Sequence, residues 1–326
     1  MLLTLVGLPP ATPTPGAWVE REAYLMGTTL RVAVAAADRV GGIQAIEDVF
    51  AAVRRLELVL STWRDDSEIA ALNRARPGRP VRLSAELHGI LAEAAEWSRA
   101  TGGAFDPAIG PLVEAWGLRG PRRSPSETER SEALAASDLG HFELRPDGSS
   151  AIRRNARAWL DTGGFGKGAA LREAGRLLRA RGIDAARLNF GGQVLALGHD
   201  EAGAAWSVPV AHPTRRDEPA AHLRVANRSV STSSQSQRAG HVLDPRSGAP
   251  VPAWGSVTVV AEDPLVADIV STALLVMGPA EALDWAERRS DIGVLLLVER
   301  DGRVHRRWNR ELERYLVADT TTTRGG

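Results

Sequence analysis

The chain has no cysteine, which excludes disulfides, thiolate zinc sites, thiol nucleophiles and a lipid-modified N-terminal cysteine. Lysine is almost as scarce: the forty Lys and Arg positions include one lysine, Lys167. Forty acidic residues balance them, so the formal charge is zero and a general attraction to nucleic acid or anionic lipid is not supported. Any polyanion must therefore be met locally. The opening "MLLTLVGLPPATPTPGA" is apolar at its start but lacks a basic flank and is too short to span a bilayer. Residues 1–17 thus read as a flexible leader or a signal remnant, 18–316 as one domain without repeats or a linker, and 317–326 as a disordered tail.

What is present is a run of hairpins and amphipathic helices. "WVEREAYLMGTTLRVAVAA" alternates as strand, turn and strand, bending at Met26, Gly27 and Thr28. Ile43, Ile46, Val49, Phe50, Val53, Leu56 and Leu60 then share one helical face ending near Ser61, and Ser84 is placed to cap a second helix. Residues 119–157, rich in arginine, serine and proline, read as an exposed excursion with one short helix and little chemistry. A third helix through Leu171, Ala174, Leu177 and Leu178 closes at Gly182, and "ARLNFGGQVLALG" reads as a hairpin. A strand, "SVTVVAE", leads into two further helices and a hairpin turning at Asp301 and Gly302. The pattern predicts an α+β fold: a single domain with a mixed, largely antiparallel sheet and flanking helices.

The lone lysine lies in "LDTGGFGKGAA", where four glycines precede a helix. Glycines at a helix N-terminus can gather amides around a phosphate. The familiar phosphate loops do not match, however. A Walker loop would need glycine where Asp161 stands and Ser or Thr at Gly168, and Gly164, Gly166 and Gly168 give GxGxG rather than GxGxxG. Taken alone, the segment is equally a tight strand-to-helix turn carrying a surface lysine.

Seven blocks in order decide between these readings: "MGTTL", "LSTWRDDSEIAALN", "TGGAFDPAIGPLVEAWG", "LDTGGFGKGAA", "LNFGGQVLALG", "STSSQSQRAGHVLDPRSGAP" and "SVTVVAEDPLVADIVSTALLVMG". Together, from about Met26 to Arg307, they resemble the ApbE family of FAD:protein FMN transferases. The resemblance implies Mg²⁺-dependent transfer of FMN from FAD to a Thr or Ser of an acceptor protein, a flavin-carrying redox subunit or domain, with release of AMP. It implies FAD contacts at Met26, Trp63, Ala104, Phe105, Asp106, Asp161, Lys167 and Val242, and metal contacts at Asp268, Thr272 and the Gly164 carbonyl. Family members usually act outside the cytoplasm, often behind a signal or lipid anchor. No such anchor is clear here, so location stays open between periplasmic, membrane-associated and cytoplasmic.

The residue types suit that chemistry. Phosphoryl transfer is catalysed chiefly by positioning and charge neutralisation, which a divalent cation and a lysine supply. Asp268 and Thr272 are four apart on a predicted helix, so their oxygens share a side and suit a hard cation. By spacing alone, the same pair also fits ordinary helix decoration. His241, with a pKa near neutrality, is a candidate base for the acceptor hydroxyl and equally a turn histidine before "VLDPRSG", where Asp244 and Arg246 hold the turn. The catalytic set is therefore His241, Lys167 and Asp268. Trp63 and Phe105 fit a core as well as a ring-binding surface, with Trp63 the ligand-facing one. Asn189, Gly191 and Gly192 suit a tight hairpin near the site, with Gln193 where the family often has an acid.

Two departures leave alternatives. "TSSQSQR" replaces the glycine, acid and tyrosine that family members usually show after Thr-Ser, which leaves room for an FAD pyrophosphatase giving FMN and AMP. A non-catalytic FAD-binding protein is the third reading. The threonine-rich tail lacks the small-residue context of a flavin acceptor.

Overall fold

The computed structural model describes residues 16–215, 217–235 and 240–317. The leader before residue 16 and the tail after residue 317 lie outside them, so the expectations for those segments are not addressed here.

The alternating N-terminal stretch folds as β1 (Ala17–Leu25) and β2 (Thr28–Ala36), paired antiparallel. Met26 and Gly27 turn between them with φ of 46° and 79°. α1 (Arg39–Leu60) starts where Asp38 accepts the Gly41 amide, and it buries Ile46, Val49, Phe50, Val53, Leu56 and Leu60. The spacing of those six is the apolar stripe read from sequence. A short α2 (Glu68–Arg74) and β3 (Pro80–Arg82) lead to α3 (Ala85–Ala100), whose start is capped by the Ser84 hydroxyl accepting from Leu87 N at 3.1 Å.

After α4 (Gly110–Ala115), the structure departs from the expected excursion. α5 (Glu127–Ala136) is the one short helix, but β4 (Phe142–Leu144) and β5 (Ser150–Arg153) join β3 in a three-stranded antiparallel sheet, ordered β3-β5-β4. Burial of Phe142, Ala151 and Ile152 anchors these otherwise arginine-rich strands.

α6 (Gly166–Ala180) is followed by the expected hairpin of β6 (Ala186–Phe190) and β7 (Gln193–Leu197). β8 (Trp206–Ala211) and β9 (Pro219–Val225) form a separate hairpin, and β10 (Arg228–Ser234) returns to the main sheet. Then come β11 (Gly255–Ala261), α7 (Pro264–Glu287), β12 (Gly293–Arg300) and β13 (Arg303–Trp308). The eight-stranded sheet runs β1-β2-β6-β7-β10-β11-β12-β13 with every neighbouring pair antiparallel, giving the expected α+β architecture.

The sheet is buried on both faces. Helices α1, α6 and α7 cover one side, with Leu30, Val32, Leu188, Ile269 and Ala273 among the residues in that core. Trp206, Val208, Val210 and Leu223 of the β8–β9 hairpin cover the other, packing with Val194, Val230, Leu295, Leu297 and Leu312. α7 is the helix among the described residues that is long and apolar enough to cross a bilayer, and its packing against α6, β10 and β11 accounts for that apolarity. At Gly278 it breaks, with φ 77° and ψ 169°, dividing the two helices read from the sequence.

Candidate active site

The site forms where the starts of α6 and α7 touch. Asp263 caps α7 by accepting from Leu265 N at 2.8 Å, whereas α6 begins after Phe165 with no side-chain cap. Its first amides are therefore available to an anion. Gly168 makes the approach possible: a Cβ there would lie 2.5 Å from the Pro264 carbonyl oxygen and 2.7 Å from Leu265 Cα. Glycine is thus a packing requirement rather than a flexibility device.

That contact brings together residues a hundred positions apart. The Gly168 amide donates to Asp268 Oδ2 at 2.9 Å, and Lys167 Nζ lies 3.3 Å from Oδ1. Asp268 is buried, with 3% of its surface exposed, while the Lys167 side chain is 32% exposed. The carboxylate is fixed from within and the ammonium reaches outward. Thr272 Oγ1, one turn further along α7, donates to the Asp268 carbonyl at 3.1 Å. Gly164 stands beside it, since a Cβ on Gly164 would lie 3.6 Å from Thr272 Oγ1 and 3.2 Å from Phe105 Cε2.

Phe105 is buried edge-on against Phe165, with ring centroids 6.4 Å apart. Ala104 is also buried. Asp106 accepts from Ala108 N at 2.7 Å and Leu139 N at 3.1 Å, so its side chain braces two loops. Burial nevertheless pushes its carboxyl up to about 6. Met26 reaches the glycine turn, its Cε 3.5 Å from where a Cβ on Gly166 would be.

Asp161 accepts from Gly163 N at 2.8 Å through Oδ1 and from Arg119 Nη2 at 2.7 Å through Oδ2. Arg119 also donates to the Thr62 carbonyl at 2.9 Å and to the Thr62 hydroxyl. Its guanidinium lies 4.6 Å from the Trp63 ring centroid and 4.3 Å from that of Trp159. Arg119 thus links Asp161 and Trp63, and sequence reasoning missed it. It sits in a stretch of similar arginines, and its partners are brought near only by folding.

His241 and Val242, both half-buried, are carried on the loop between β10 and β11. Gln235 Nε2 ties that loop down by donating to the carbonyls of Val242 at 3.2 Å and Val251 at 2.9 Å. Asp244 Oδ1 accepts from Arg246 N at 2.8 Å and from Nε at 3.1 Å, holding the turn as expected. Of the unusual "SSQSQR" run, Ser236, Gln237 and Arg238 lie outside the described residues. Asn189 Oδ1 accepts the Gly192 amide at 3.0 Å, and buried Gln193 donates to the Pro264 carbonyl at 2.8 Å, joining the hairpin to the start of α7.

Lys167, Asp268, Thr272, Gly164 and Phe105 therefore form one contiguous group. Asp161 and Trp63 flank it through Arg119. The sequence profile of the ApbE family matches residues 26–296, a span that contains all seven blocks. This chain belongs to the ApbE family. Its relatives include the FAD:protein FMN transferase of Klebsiella pneumoniae, 30% identical over 92% of this chain and 89% of that protein. That of Treponema pallidum is 31% identical over 79% and 78%. The crystal structure of Pseudomonas stutzeri flavinyl transferase ApbE, in its apo form, superposes with a TM-score of 0.85 at 26% identity, covering 95% of this chain and all of that one. The Vibrio cholerae flavin transferase ApbE, at 24% identity and a TM-score of 0.83, shares the fold.

Proposed function

We propose that this chain is an FAD:protein FMN transferase that moves FMN from FAD to a threonine or serine hydroxyl of an acceptor protein, with AMP as the leaving group. The observation that carries this reading is the Lys167–Asp268 pair, 3.3 Å apart where two helix N-termini converge. In the reaction the acceptor oxygen bonds to the phosphorus of the FMN half, the bridging bond to AMP breaks, and the hydroxyl proton passes to a base. Negative charge grows on AMP and on the transferred phosphoryl group. The Lys167 ammonium and the uncapped amides of α6 are suited to meet it. Trp63 offers an exposed indole to a planar ring, and His241 is the candidate base.

The residues also fit Mg²⁺. The donors are hard oxygens: the Asp268 carboxylate, the Thr272 hydroxyl and the Gly164 carbonyl. Among the described residues no three His, Asp or Glu side chains converge, so phosphate oxygens and water would complete an octahedral shell. When bound, the ion supplies charge neutralisation at the phosphates.

The test is incubation with FAD, Mg²⁺ and a candidate acceptor domain, followed by intact mass and by AMP and FMN quantitation. A flavin adduct on the acceptor supports transfer. Stoichiometric free FMN and AMP without an adduct would identify a pyrophosphatase, and intact FAD across acceptors would mark a binding protein.

A further inference from the structure

We propose that Arg119 is a positioning residue that holds Trp63 as a stacking platform for one planar heteroaromatic ring of the substrate, an assignment that rests on the FAD reading above. Trp63 is 73% exposed although the Arg119 guanidinium lies 4.6 Å from its ring centroid. With one face of the indole lined by the cation, that exposure leaves the opposite face open to solvent. A large apolar ring held fixed with a free face is a binding surface rather than core.

The fixing is done from several directions. Arg119 donates to the Thr62 carbonyl at 2.9 Å and to the Thr62 hydroxyl, immediately before the indole in sequence. Trp159 backs the guanidinium at 4.3 Å, and Asp161 accepts from Nη2 at 2.7 Å. One side chain thus couples the end of α1 to the strand-like run that enters the glycine turn. It sets the indole and the Asp161 carboxylate in a common frame with Lys167. Only arginine can do so: its plane stacks on both rings while its edge bonds in two directions, whereas an ammonium is a point charge.

A second Trp–Arg–Trp grouping gives the contrast. Arg289 lies 5.5 Å from Trp97 and 5.4 Å from Trp285, but those two rings meet each other at 6.5 Å and Trp285 is 9% exposed. That group closes the core and has no open face.

The ring that stacks is the flavin or the adenine of FAD, and the test separates them. Wild type, Arg119→Met, Arg119→Lys, Trp63→Ala and the Trp63→Ala/Arg119→Met double variant are titrated calorimetrically with FAD, with FMN and with AMP. Folding is monitored by circular dichroism. Arg119→Met is expected to weaken FAD binding about tenfold, and Arg119→Lys, which keeps the charge but not the plane, at least about threefold. Because Arg119 acts through Trp63, the double variant should bind FAD no more weakly than Trp63→Ala. Loss confined to FMN assigns the flavin ring, and loss confined to AMP assigns the adenine. Wild-type affinity in both Arg119 variants, or losses that sum in the double variant, overturns the assignment alone. Wild type that does not bind FAD overturns it together with the transferase reading.

Discussion

Replacing Gly168 with alanine sets two physical effects of opposite sign against each other. By helix propensity alone, alanine in α6 should stabilise the protein by about 1 kcal/mol. Packing predicts the reverse. The new methyl would lie 2.5 Å from the Pro264 carbonyl oxygen, 2.7 Å from Leu265 Cα and 2.8 Å from Asp268 Cβ. Two of these are backbone atoms in the first turn of α7, so relief requires moving one helix start by most of an ångström. Overpacking of this kind costs about 1–3 kcal/mol, enough to cancel or exceed the propensity gain. The displacement also falls on the Gly168–Asp268 and Lys167–Asp268 contacts, and an error of about 1 Å at a reacting centre can lower turnover by about 100-fold. The control is Gly89, exposed in α3 with nothing within 4 Å of a built Cβ. Gly89→Ala should gain the propensity term, about 1 kcal/mol, with normal turnover. Urea denaturation and AMP release on both variants make the comparison. A Gly168→Ala protein as stable as Gly89→Ala, with wild-type turnover, would refute the claim that the helix approach builds the site.

Lys167→Arg keeps the charge but places a wide planar fork among closely packed glycines, so FAD turnover should fall on the order of tenfold or more while the protein stays folded. AMP release at saturating FAD measures it, and near-normal rates would reduce Lys167 to a surface lysine. Asp268→Asn should retain the Gly168 amide bond through its carbonyl oxygen yet lose the charge opposite Lys167. Turnover should drop at least tenfold, with the Mg²⁺ concentration giving half-maximal rate shifted upward, and an unchanged Mg²⁺ profile would remove Asp268 from the metal set. Asp106 gives a pH prediction. Burial raises its carboxyl from 3.8 to about 6, so the folded state favours the protonated form. The associated stability is fully present below about pH 4 and is lost as pH rises through about 6, amounting to at most about 3 kcal/mol. In Asp106→Asn that fall in unfolding free energy between pH 4 and 6 should vanish, at the cost of one of the two backbone acceptors. An identical pH slope in both proteins would contradict the burial argument.

The parts of the fold legible in the sequence are those governed by short-range periodicity. The α1 stripe, the Ser84 cap and the β6–β7 hairpin each follow from residues within a few positions of one another. The β8–β9 hairpin carried a comparable signal, since Trp206, Val208 and Val210 alternate with exposed neighbours, but Pro209 within it obscured the strand. β4 and β5, of three and four residues, are too short to show a period. Within the site, the glycine turn and the Asp268–Thr272 spacing could be seen before folding, whereas Arg119 could not. Its carboxylate partner is 42 positions away, and nothing local distinguishes it from the arginines around it.

The approach of α6 and α7 has a consequence for how the protein is made. The two halves of the site, Lys167 and Asp268, are separated by 101 residues, and β6 to β11 lie between them in the chain. Closing so long a loop comes at a late stage of assembly, after the intervening strands have found their register. A nascent or partly folded chain has its lysine and its aspartate but not their juxtaposition. Flavin chemistry is thereby withheld until the chain is whole, and catalytic competence becomes a readout of completed folding.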